Sequence, residues 1–225
     1  RAEAASNEAR AQELLARIYA TGGEGQYPLS AWMALHLRLL PHFRYTEGFT
    51  AQIETLGDYV LKLGSTDLAA KEYRRAVRIL QEKQEEQGTS READIFRLHL
   101  KLAQAQMRGG QFAEARLTLD QMDPSVAPEL MQAHQTLLAE ALSKLGDKPA
   151  LLKASVNTPT AQHLRDVALA LSEEERWPQA SETLSQLWRD YPQAFSLQDA
   201  TRLLIAAYRS EDQGTLEEVT RSFPS

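Results

Sequence analysis

One pattern recurs along most of this chain: two apolar stripes at three- and four-residue steps, split by a short polar turn. Ile53, Leu56, Gly57, Val60, Leu61 and Leu63 form one stripe that stops at Gly64. After Gly64-Ser65-Thr66-Asp67 a second begins, with Leu68, Ala69, Tyr73, Ala76, Val77 and Leu80. Steps of three and four place these side chains on one face of a helix, so each pair of stripes predicts an antiparallel helical hairpin. A lone hairpin cannot bury its apolar faces. A chain made of such units must stack them against one another.

The pattern returns three more times. Leu98, Leu102, Ala103 and Gln106 precede Gly109-Gly110, with Phe112, Ala115, Leu119 and Met122 behind them, up to Pro124. Leu138, Ala139, Leu142 and Leu145 precede Gly146-Asp147, and a short second helix through Leu151 and Leu152 stops before Pro159. Leu164, Val167, Ala168 and Leu171 precede Glu173 to Arg176, followed by Trp177, Ala180, Leu184 and Leu187 up to Tyr191-Pro192. A weaker copy runs from Leu203, Leu204, Ile205 and Tyr208 through Gly214 to Leu216, Val219 and Phe223. No alternating β-branched run with hairpin turns competes with this reading.

These residues resemble the tetratricopeptide family, whose repeat is a helix–turn–helix of about 34 residues. Its helices cross closely where small side chains face one another, and Gly57, Ala69 and Ala76 occupy those slots, with Tyr73 as the large residue between. Ala103 with Ala115, and Ala168 with Ala180, repeat the arrangement, and Tyr191-Pro192 matches the family's terminal proline. Gly57, Ala103, Ala139 and Ala168 are spaced by 46, 36 and 29 residues, so the first interval holds an insertion, placed at Gln81–Asp94. The resemblance implies an all-α solenoid of helix–turn–helix hairpins wound as a right-handed superhelix. The expected organisation is a divergent N-terminal hairpin over 1–48, repeats over 50–83, 96–124, 132–156 and 161–192, and a degenerate C-terminal hairpin over 198–223.

Composition narrows the function classes. A net charge of −6 and 7% aromatic residues oppose a nucleic-acid binder, which needs cations for phosphates or rings for bases. No cysteine is present, which removes disulfides, thiolate metal sites and cysteine nucleophiles. No stretch reaches the roughly 18 apolar residues of a membrane helix, so no direct membrane insertion is expected of this segment. The chain opens at Arg1 without a leader-like segment and reads as a piece of a longer or processed polypeptide.

Catalytic signatures are missing too. The sequence has no phosphate-binding GxxxxGK, no GxSxG elbow, no HExxH and no calcium loop. Gly22-Gly23-Glu24-Gly25 lacks the flanking strand of a nucleotide loop and reads as a connector after a helix over Ala2–Tyr19. His36, His42, His99, His134 and His163 show no i, i+4 pair, so each is expected to be satisfied or solvent-facing. Glu173-Glu174-Glu175 falls in a turn, where water solvates it. The expectation is a non-enzyme with no cofactor and no metal.

What remains is surface. The resemblance implies that the first (A) helix of each hairpin lines a groove that contacts another protein or peptide. By helical phase the inward residues are Glu54, Asp58 and Lys62, then Arg97, Lys101, Gln104 and Arg108. Thr136, Glu140 and Lys144 follow, then Arg165, Asp166 and Leu169. Arg97, Lys101 and Arg108 share a face beside Leu100 and Met107, which suits an acidic partner segment. The family's clamp for a C-terminal carboxylate is not matched: the slots read Glu54, Asp58, Lys101, Ala133 and Leu137, or one repeat later Leu100, Gln104, Leu137, Gln162 and Asp166. An alternative interface is the apolar segment Pro28–Phe43, presented by Trp32, Met33, Leu37 and Leu40. By resemblance, bacterial envelope and exopolysaccharide-export complexes use such repeats, which suggests a periplasmic or envelope setting. The competing readings are an architectural role that spaces or oligomerises other domains, and a sensor of a peptide or metabolite.

Overall fold

Helix follows helix from end to end of the computed structural model, which describes residues 2–222, with side chains described from residue 7. Phe223 lies outside the described residues. Two compact units divide the chain at Met131.

Unit 1 contains α1 (Ala2–Gly23), α2 (Leu29–Phe43), α3 (Phe49–Lys62), α4 (Thr66–Gln87), α5 (Glu92–Arg108) and α6 (Phe112–Asp120). Two single-turn 3-10 helices follow, Pro124–Val126 and Pro128–Leu130. Neighbouring helices pair, α3 on α4, α4 on α5 and α5 on α6, while α1 also packs on α3. The core joins Tyr19, Trp32, Phe49, Ile53, Leu56, Val60, Tyr73, Ala76, Leu80 and Leu98, all buried. Tyr19 is its aromatic hub, meeting Trp32 and Phe49 edge-on at 5.8 and 5.9 Å, a geometry that suits the ring quadrupoles.

Unit 2 contains α7 (Met131–Leu145), α8 (Lys148–Lys153), α9 (Ala161–Glu173), α10 (Trp177–Asp190), α11 (Leu197–Arg209) and α12 (Gln213–Ser222). Its largest core joins Leu164, Ala168, Leu184, Leu187, Leu203 and Val219. Ser196 and Asp199 start α11 with a reciprocal capping box.

Three local expectations need correction. The Gly22-Gly23 pair is helical, the last turn of α1 rather than a connector. Gly22 is there for close approach: a Cβ would sit 2.5 Å from the Trp32 ring. The presumed insertion is largely a continuation of α4, which runs 22 residues to Gln87 and leaves only a short link to α5. Its extra turns are anchored by Lys83, buried despite its charge, whose ammonium donates to the Thr46 carbonyl at 2.9 Å. Trp32, offered as a docking residue, is 1% exposed and belongs to the core. Met33 and Leu40 pack partly against that core, which leaves Leu37 as the exposed one of the four.

Candidate functional site

In unit 1 the predicted basic face of α5 forms, but its charges are taken up by the chain itself. Arg97 bonds the Glu54 carboxylate of α3 and reaches Asp94 at 3.3 Å. Lys101 spans Glu54 at 2.7 Å and Asp58 at 2.6 Å. Asp58 also accepts the Tyr73 hydroxyl at 2.7 Å. Burial alone would raise the Glu54 carboxyl, but Arg97 and Lys101 outweigh it and hold it below the ordinary carboxylate value. Burial, with the Asp58 carboxylate second, pushes the Tyr73 phenol up, so Tyr73 stays a neutral donor. Three carboxylates face Arg97 and Lys101, and this surface offers little net positive charge to an acidic segment. Leu100 and Met107 are buried and add no apolar contact surface, which corrects the sequence expectation. Gln104 and Arg108 are exposed.

Unit 2 separates its candidates differently. Arg165 is structural: its guanidinium clamps the buried Asp199 carboxylate at 3.0–3.1 Å and also bonds the Ala194 carbonyl. Burial would raise Asp199, and the Arg165 and Ser196 bonds overcome it and hold the group low. Glu140 and Lys144 are exposed and make no ion pair with any described residue. They line a cleft of about 330 Å³ between α7 and α9, together with Thr136, Ser143, Gln162, His163 and Asp166.

The local sequence explains that cleft. Pro149 opens α8, and Ala154-Ser155-Val156-Asn157-Thr158-Pro159 cannot continue it, because β-branched residues, Asn and a following proline disfavour helix. The second helix of this hairpin therefore lasts six residues. The segment behind it is strapped down at its C-terminal end. Thr158 donates to Gln132 at 2.6 Å, the Asn157 amide donates to Gln135 at 3.1 Å, and the Tyr191 hydroxyl donates to the Pro159 carbonyl at 2.7 Å. Thr160 then caps α9 through the His163 amide at 3.1 Å. The cleft floor is ordered by Ser143, which donates to Asp166 at 2.7 Å, and by Gln162, which donates to the other Asp166 oxygen at 2.8 Å. Burial pushes His163 down, with Asp166 opposing, so its imidazole is held toward the neutral form. His163, Thr160 and Ser143 were missed as site residues. The Thr-x-x-His cap was their one sequence signal.

A buried polar chain occupies unit 1. The Tyr19 hydroxyl lies 2.7 Å from His36 Nδ1, His36 Nε2 lies 3.1 Å from Glu72, and Arg75 donates to the same Glu72 oxygen at 2.5 Å. His36 and Tyr19 are fully buried. The chain resembles a proton relay, but no substrate can reach the imidazole, so its role is to satisfy buried polar groups. Burial would raise Glu72, and the His36 and Arg75 contacts hold it low instead. Among the described residues no group of three acids or histidines converges as a metal site, and no helix is long and apolar enough to cross a membrane.

No family model and no curated protein matches the chain. Solved structures do. The MamA protein aligns over 76% of this chain and 86% of its own, with TM-score 0.56 and 17% identity. The C-terminal part of a TPR repeat-containing protein from Cytophaga hutchinsonii aligns over 94% of this chain and 80% of its own, with TM-score 0.58 and 10% identity. At these identities the likeness speaks to fold alone. The fold is that of tetratricopeptide-repeat helical hairpins.

Proposed function

We propose that the chain is a non-catalytic protein-binding scaffold that seats a segment of a partner protein in the α7–α9 cleft. The observation that carries this reading is the cleft itself. It opens between the first helices of successive hairpins, the surface such repeats present to peptides, and it is held rigid by the Gln132–Thr158 and Ser143–Asp166 bonds. Glu140 and Lys144 supply exposed charges of both signs, while Thr136, Gln162 and His163 supply neutral polar groups. Such a lining suits an extended polar segment whose backbone amides and carbonyls need partners.

Selection from a displayed random-peptide library tests it. Enriched peptides should bind the full chain saturably, and Lys144→Glu and His163→Ala should each weaken them by about tenfold, roughly 1.4 kcal/mol per site. Arg97→Glu should leave them unchanged. Failure to enrich any peptide, or indifference to both cleft variants, would favour the architectural spacer. The finer setting, a bacterial envelope assembly that handles exopolysaccharide, rests on the family resemblance alone. Fractionation of the source cells tests it.

A further inference from the structure

A second cleft, of about 370 Å³, lies in unit 1 between α2 and α4, the second (B) helices of their hairpins, away from the first-helix face considered above. Leu40 and Arg44 line it from the α2 side, and Lys71, Arg74, Arg75, Arg78 and Ile79 from α4. The four α4 cations fall at steps of three and four, which puts them on one helix face. The segment 29–43 contributes no Asp or Glu. The nearby carboxylates are already engaged: Glu72 with His36 and Arg75, and Glu82 with Arg44 at 2.6 Å and Tyr45 at 3.0 Å. Arg78 adds a further electrostatic pull on Glu82. Five cationic side chains thus meet two carboxylates, in a chain whose net charge is −6.

Lys71, Arg74 and Arg78 are exposed and make no ion pair or hydrogen bond with any described residue. The Nε–H of Arg44 is buried and unpartnered. Like charges at this spacing destabilise a helix, so their concentration works against folding. The geometry points to a docking site for an acidic segment of a partner protein, whose carboxylates pair with Arg74, Arg78 and Lys71 while an aliphatic side chain rests on the half-buried Leu40. Guanidinium groups bind carboxylates bidentately, and Arg75 is already fixed in place by Glu72. No aromatic ring lines the cleft to stack a base. The half-buried Leu40 side chain beside the cations favours a peptide over a bare anion.

This site is independent of the α7–α9 cleft, and one titration separates them. The probe is a fluorescein-labelled amphipathic peptide of about a dozen Glu, Asp and Leu residues, followed by anisotropy with the full chain. Affinity should fall at least about tenfold between roughly 50 and 300 mM salt, since exposed charges are screened over that range. Arg74→Glu with Arg78→Glu should weaken binding by about twentyfold or more, and Arg74→Gln with Arg78→Gln by about fivefold. Lys144→Glu should have no effect. Both residues are exposed and unpaired, so the helical spectrum should be unchanged in either double variant. Unaltered affinity in both double variants overturns the proposal. Tighter binding of an oligothymidylate or of phosphatidylserine vesicles than of the peptide also overturns it, and reassigns the cleft to nucleic acid or membrane.

Discussion

Replacing Gly57 by alanine isolates a close helix crossing in unit 1. A Cβ at this position would lie 2.7 Å from Tyr73 Cε1 and 3.1 Å from Cδ1 and Cζ. The ring cannot retreat, because Tyr73 is fully buried and its hydroxyl is tied to Asp58 at 2.7 Å. Helix propensity pulls the other way, favouring Ala over Gly by about 0.8–1.0 kcal/mol in a helix interior. Overpacking a closed core costs about 1–3 kcal/mol, and so close a contact belongs in the upper half of that range. The balance is a net destabilisation of about 1–2 kcal/mol, which lowers the melting temperature by about 2–8 °C for a chain of this size. Urea unfolding of the parent, Gly57→Ala, Tyr73→Leu and the double variant closes the cycle. In the Tyr73→Leu background the same Gly57→Ala change should be neutral or stabilising. A parent chain that gains stability from Gly57→Ala refutes the crossing argument, because propensity alone would then be acting.

Acid should unfold the protein through several groups acting with one sign. Glu54 and Glu72 are held below their ordinary carboxylate values, so their stabilisation is complete above about pH 4.5 and is lost as pH falls through the folded values. Burial holds His99 below its ordinary value, so its contribution is full above about pH 6.5 and declines on acidification, and His99→Gln should flatten the stability profile between about pH 5 and 7. Arg165→Ala should cost about 1.5–3 kcal/mol in denaturant titration, because it strips the buried Asp199 of its charged donors. Trp32→Ala should cost about 3–5 kcal/mol, as expected of a core residue, and a variant that melts like the parent would return Trp32 to the surface.

The fold was legible where small residues recur at fixed offsets, as Gly57, Ala69 and Ala76 do, because close helix approach depends on local composition. The end of α4 was not. Its inward position at 83 is a lysine, and a buried charge breaks the apolar stripe that periodicity reads. The groove chemistry was legible only within single helices. Phase placed Arg97, Lys101 and Arg108 on one face, but Glu54 and Asp58 lie 43 residues from their partners, and no helical spacing reports what stands across the groove. Separations of 17 and 36 residues likewise hid the Tyr19–His36–Glu72 chain, which joins three helices. The short α8 was visible in Pro159, whereas the cleft it leaves depends on tertiary bonds from Gln132 and Tyr191.

Hydrogen–deuterium exchange of the full chain, with and without a peptide enriched by display, tests the scaffold account most directly. Protected amides report where a bound segment closes off local opening. The account predicts added protection along α7, the 154–160 segment and α9, with α10 to α12 unchanged. Protection elsewhere, or none at saturating peptide, would contradict it.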